Sequence, residues 1–153
     1  MGTEVPLLLF RVDGQRYGLP LDVVARVIPA VALAPLHGAP NAIRGVFIWQ
    51  GEVVPTGDLR RRHRMAPREI ALTDHIIITR RGDRLLGVLA EGTTGVGRFK
   101  PEDISDAATV DHRPDMLEGT AYLPDGIVLI QSIDRFLSPQ EEASLTSAIH
   151  ELH

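Results

Sequence analysis

Short runs of β-forming residues, each closed by a turn signal, fill most of the chain. The run from Ala42 to His63 says most. It reads as a strand, a tight turn at Gln50-Gly51-Glu52, and a second strand that Pro55 closes. Val46, Phe47, Ile48 and Trp49 are apolar in succession. A strand with one wet face alternates instead. Both faces of this run are therefore expected to be covered, by the protein's own core or by a partner.

The flanking sequence predicts more strands. Val5–Val12 is a strand, Asp13-Gly14 a hairpin turn, and Gln15–Leu19 the return, because Gly accepts positive φ without steric cost. Pro20 suits a first helical turn, and Leu21, Val24 and Ile28 share a helical face. The β-branched residues there oppose a helix, so a short helix running into a strand is expected, ended by Pro29. Ala30–Ala34 reads as a short strand. Asn41 is placed to cap a single turn through Arg44, and Asp58 to cap a helix carrying Arg60, Arg61 and Arg62.

Beyond a connection at Met65–Thr73, His75–Arg80 and Arg84–Glu91 make a hairpin around Gly82. The glycines of Gly92–Gly97 bend a strand at a bulge. Lys100–Ile104 is a turn, and Ser105–Glu118, with Pro114, is the least structured part of the middle. Gly119–Leu123 and Ile127–Gln131 pair around Asp125-Gly126. Ile133–Leu137 is expected to form a first helical turn or two. Ser138-Pro139-Gln140-Glu141 is a capping box with Pro at the first helical position, and Leu145, Ile149 and Leu152 form the stripe that docks on the body. The pattern amounts to roughly nine or ten short strands and a carboxy-terminal helix, which suits small barrels or a sandwich. No long helix separates successive strands, so a parallel doubly wound sheet is not expected.

Composition narrows the function. The 153 residues, 44% hydrophobic, suffice for one domain or two coupled halves. There is no cysteine, which removes disulfides, thiolate zinc sites and cysteine nucleophiles. A formal net charge of -4 and 5% aromatic content argue against nucleic-acid binding. The first residues carry no basic segment ahead of an apolar core, and no stretch reaches spanning length, so a soluble cytoplasmic protein with no membrane insertion is expected. Pro6 stands where a myristoylation motif wants Ser or Thr.

Candidate chemistry is thin. Ser132, Asp134 and His150 supply the letters of a triad without a nucleophile elbow. His37, His63, His75, His112, His150 and His153 lack close metal spacing, and Asp103, Asp106 and Asp111 lack that of a calcium loop. No metal, cofactor or catalytic residue is expected. Arg60–Arg64 either steers an acidic partner or is a solvated helix end. Trp49 is either an interface anchor or a half-buried core aromatic.

Several segments together resemble the CheW-like domain, the adaptor of bacterial chemotaxis arrays. They are Phe10-Arg11-Val12, Tyr17–Leu21, Val24–Ile28, Ile43–Val46, Gly51–Arg60, Leu86-Gly87-Val88 and Gly126–Ile130. The resemblance covers nearly the whole chain, and its most specific part runs from Gly45 to Arg60. It implies a mainly β fold: two SH3-like five-stranded β-barrels packed side by side, with short helices and a carboxy-terminal helix, in one domain of two interleaved subdomains spanning 1–153. It also implies a non-enzymatic scaffold that couples the cytoplasmic tip of a chemoreceptor (a methyl-accepting chemotaxis protein) to a CheA-type histidine kinase. The receptor would lie in a groove lined by Val24, Val27, Gly45, Val46, Gly51 and Val88, with Trp49 and Gln50 at its tip, and a second surface would lie at a barrel end.

The hairpin tip and one position of the Val24–Ile28 segment depart from the family pattern. The usual Asn-Leu-Arg-Gly at the hairpin tip is Ile48-Trp49-Gln50-Gly51 here, and Arg26 stands where Glu is common. One alternative is therefore an accessory protein that binds receptor but has lost the kinase. An alternative from another class is an oligonucleotide-binding barrel.

Overall fold

Hairpins set the architecture. The computed structural model describes residues 3–106 and 117–152. β1 (Val5–Val12) and β2 (Gln15–Pro20) meet at Asp13-Gly14, with φ of 54° and 77°. A 3-10 turn at Leu21–Val23 leads into β3 (Val24–Pro29), so the expected short helix running into a strand is present. β4 (Ile43–Trp49) and β5 (Glu52–Gly57) meet at Gln50-Gly51, with φ of 51° and 79°. Two successive positive φ values give the turn whose twist matches the flanking strands. After the short helix α1 (Leu59–Arg62) come β6 (His75–Arg81), β7 (Arg84–Ala90) and β8 (Thr93–Phe99). A second 3-10 turn at Pro101–Asp103 joins β8 to β9 (Ile104–Asp106). β10 (Leu117–Leu123), β11 (Gly126–Gln131) and the helix α2 (Pro139–His150) complete the described residues. The rest of the stretch expected to be least structured, 107–116, lies outside them, as do Asp111, His112 and His153.

The strands form two sheets, ordered β8-β1-β2-β11-β10-β9 and β3-β6-β7-β5-β4. Each closes on itself. In the first, β8 and β9 lie at opposite edges yet are joined only by the Pro101–Asp103 turn, so they act as one bent strand. That explains eleven strands where nine or ten were expected. In the second, the chain leaving β3 reaches the far edge, where Ala34 bridges Val46. Two small barrels result, as the resemblance implied.

The barrels repeat one plan. Hairpin, bent strand, hairpin occurs as β1–β2, β3, β4–β5, and again as β6–β7, β8–β9, β10–β11. β5 runs parallel to β7 through Thr56–Gly87, as β11 runs parallel to β2 through Ile130–Gly18. β4 and β10 both shift register just before a glycine, at Gly45 and Gly119. The leading hairpins are exchanged: β1–β2 completes the sheet of the second repeat, and β6–β7 that of the first.

Between the sheets lies the largest apolar core. Phe10, Tyr17 and Leu19 meet Ile43, Ile77 and Val88 there, joined by Phe136 and Leu145 from the carboxy-terminal segment. Each such side chain contributes about 1.5–3 kcal/mol through its burial. Each barrel also has a smaller core, one around Leu7 and Val128, the other around Val54 and Ile76.

Several expectations are corrected. Ala30–Ala34 makes no strand; flanked by Pro29 and Pro35, it is held at its ends, by the Ala30 N–H donating to the Asp74 carbonyl at 2.9 Å and by the bridge from Ala34 to Val46. Arg44 belongs to β4, not to a helical turn, because Ile43 already pairs with Gly57. Pro55 does not close its strand. It lies opposite Val46, whose N–H and C=O both point away to Ala34 at 2.8 and 2.9 Å, so this pair exchanges no hydrogen bonds and the missing proline N–H costs the ladder nothing. Ile133–Leu137 is a turn, not a helix, in which Ser132 Oγ accepts the Arg135 N–H and Phe136 is buried. α2 has the predicted capping box, with Ser138 and Glu141 bonded reciprocally. Its buried stripe is Leu145 and Ala148 with Ile149 beside them, whereas Leu152 is exposed.

Candidate functional site

The β4–β5 hairpin explains the unbroken apolar run. Phe47 and Trp49 point inward and pack on the small core of their barrel. Val46 and Ile48 point outward. Ala34 covers Val46, but Ile48 remains 65% exposed. The inner face is thus covered by the protein itself, and the outer face is open past Val46. Since outward backbone groups recur every second residue, Ile48 also turns its N–H and C=O to the free edge of β4. A strand edge and an apolar side chain are presented together.

Trp49 takes the core role of its two alternatives, and Ile48 is the exposed neighbour that sequence reasoning passed over. The missing signal was phase: four apolar residues in a row do not say which pair faces in. Gln50 and Gly51 are exposed at the tip.

The eight predicted groove positions fall into two groups. Gly45, Val46, Trp49, Gln50 and Gly51 share the hairpin. Val24, Val27 and Val88 belong to the central core, where Val27, Ile77 and Val88 stand in register across three strands. Val24 and Val27 are half-buried, but Val88 is wholly buried and lines no groove, because the neighbouring sheet packs over it. Gly45 is buried as well. A Cβ there would lie 2.7 Å from the Ala34 carbonyl oxygen and 2.9 Å from Leu33 Cβ, so the glycine admits the crossing chain.

The arginine run divides: Arg60 and Arg62 are engaged inside the fold, whereas Arg61 and Arg64 stay exposed. Asp58 caps α1 by accepting the Arg60 N–H at 2.9 Å. Arg60 then donates through two nitrogens to Glu91, also reaches Asp13 at 3.2 Å, and donates to the Ala66 carbonyl. Arg62 donates to both oxygens of Glu141 at 3.1 Å, tying α1 to α2. Arg68 grips Asp74 at 2.7 and 3.0 Å. Arg44 donates to Asp58 at 3.0 Å and to the Arg68 carbonyl at 3.2 Å.

These contacts shift two carboxyls. The Arg60 bond holds Glu91 below the usual carboxylate range, against the burial that works to raise it. For Asp74 burial is the largest influence and pushes it up, but the bonds from Arg68 and the Ala71 N–H together outweigh it and leave the group lowered. The resulting cluster joins the β1–β2 turn, the β7–β8 crossover and the loop after α1. It is a structural joint rather than a reactive centre.

Ser132, Asp134 and His150 form no triad: Ser132 Oγ accepts the Arg135 N–H and Asp134 pairs with Arg81 at 2.8 Å. Among the described residues no group of three or more His, Asp or Glu gathers to hold a metal. No helix among them is long and apolar enough to cross a membrane.

Comparison with known proteins agrees with this geometry. The model of the CheW-like domain family matches residues 6–141. Protein FrzA of Myxococcus xanthus is 33% identical over 101 residues, covering 66% of this chain and 63% of FrzA, so the match spans less than two thirds of that relative's length. The chemotaxis protein CheW of Klebsiella aerogenes is 24% identical over 140 residues, covering 89% of this chain and 83% of that one. The crystal structure of the scaffolding protein TtCheW from Thermoanaerobacter tengcongensis shares the fold, with a TM-score of 0.82 at 20% identity, over 91% of this chain and 96% of that one.

Proposed function

The chain belongs to the CheW-like domain family of chemotaxis scaffolds, and from that premise we propose that it couples the cytoplasmic tip of a chemoreceptor to a CheA-type histidine kinase. The observation that carries the reading is the single apolar core shared by both barrels, with an open hairpin edge on its outer side. A body stiffened in this way transmits a partner's movement by contact, at fixed separation, without chemistry of its own. In that role the protein would work in the cytoplasm, beside the receptor's cytoplasmic tip.

Within this reading the receptor surface is centred on the β4–β5 hairpin. Gln50 and Gly51 form its tip, Ile48 is its apolar anchor, and Gly45 and Val46 give its seat on Ala34. Val24 and Val27 contribute their exposed portions. The kinase surface lies at a barrel end. Transient contacts of this kind are small, and a few apolar anchors decide their affinity.

Separate co-purification with the cell's receptor cytoplasmic fragment and with its histidine kinase tests the reading. Capture of both supports coupling. Capture of the receptor alone favours the accessory role that the replacement of arginine by Gln50 suggests. Capture of neither removes the proposal.

A further inference from the structure

At the end of β4 opposite Gln50, an open groove runs between the 33–41 segment and the loop after α1. Leu36, Ile70 and Met65 give it apolar surface. Arg44, Arg61 and Arg68 stand along it, and the first two border both of its halves. We propose that this groove is a docking site for an acidic peptide segment of a partner protein, one that carries apolar residues beside its carboxylates.

Charge argues for that occupant. The chain is acidic overall, with a formal net charge of -4, yet three arginines converge here. Of the carboxylates along the same groove, only Glu69 is exposed; Asp58 is buried beneath Arg44 and Arg61. Arg64 adds an exposed cation next to it. The Arg61 side chain is 39% exposed and lies 4.0 Å from its nearest carboxylate; one nitrogen donates to the Asn41 carbonyl at 3.3 Å, which leaves further N–H groups for an incoming anion.

The rim is also set in advance. Arg44 is fixed by Asp58 and the Arg68 carbonyl, and Arg68 by Asp74, so little order is lost when a ligand binds. Leu36, Ile70 and Met65 favour a ligand that carries apolar groups over a purely ionic one such as a nucleic-acid backbone, because phosphate gains nothing by covering them.

The proposal is independent of receptor and kinase coupling. Its test is fluorescence anisotropy of the full chain with a labelled synthetic peptide of glutamate and leucine. Saturable binding is expected, weakened by added salt and about tenfold by Arg61→Glu, a change worth about 1.4 kcal/mol. Arg64→Glu, on an exposed residue, is the second variant if the first does not fold, and is also expected to weaken binding. No binding, binding unchanged by either folded variant, equal binding of a lysine–leucine or glutamate–serine peptide, or tighter binding of single-stranded DNA would each overturn it.

Discussion

Glu91 holds Arg60 with both carboxylate oxygens, and one of them also accepts the Asp13 N–H at 2.9 Å. Arg60 extends from the barrel of β3–β7, whereas Asp13 turns the hairpin that completes the other. A largely buried ion pair therefore sits at the rim of the apolar seam between the barrels.

Acid should weaken the fold through this cluster. Glu91 and Asp74 are both lowered in the folded protein. Their contribution is fully present above the unfolded-state carboxylate values and is lost as pH falls through the lower folded ones, because the unfolded chain binds the protons first. Urea midpoints measured from about pH 7 down to about pH 3 should fall below about pH 4.5. Glu91→Gln should flatten that profile and cost about 1–3 kcal/mol at neutral pH, since Arg60 loses its main partner. A Glu91→Gln profile as steep as the parent's would contradict this.

Ile48→Asp separates binding from stability. The side chain is mostly in water, so stability should change by no more than about 0.5 kcal/mol. Receptor capture should nonetheless fall sharply in a pull-down. A folded variant that binds as well as the parent would move the receptor surface off the hairpin.

Gly45→Asp should behave differently. The added side chain meets the Ala34 carbonyl, and the Ala34–Val46 bridge must open to admit it. A loss of about 2 kcal/mol or more is expected, with receptor binding falling alongside. Calorimetric melting checks the first part, and the same pull-down the second.

Gln50→Arg tests the kinase surface. Gln50 is exposed with a φ of 51°, and arginine bears that backbone no worse, so the fold should be unchanged. If the missing arginine weakens kinase contact, isothermal titration should detect kinase association in the variant above that of the parent. Trp49 is best left in place, because it fills the core of its barrel.

Much of the fold was legible because its signals are local. Asp13-Gly14, Gln50-Gly51 and the Ser138–Glu141 box each act through backbone geometry within four residues. What escaped depends on distance. Pro55 is accepted inside a strand because it and Val46 form a pair that exchanges no hydrogen bonds, and because the ladder from β5 to β7 begins only at Thr56. Arg60 and Arg62 are neutralised by Glu91 and Glu141, far along the chain, so only Arg61 and Arg64 of the basic run remain exposed. The burial of Val88 reflects a second sheet that no period in its own strand announces. The exchange of leading hairpins leaves no mark on any single segment.

That exchange has a consequence for how the chain is made. Residues 24–90 supply every strand of one barrel, so it can close soon after they leave the ribosome. The β1–β2 hairpin, made before them, must wait for β8 and β11, which follow them, before its edges are filled. Closure over so long a separation is slow. Until then the newborn chain carries a two-stranded hairpin with both outer edges open, a template for pairing with another chain.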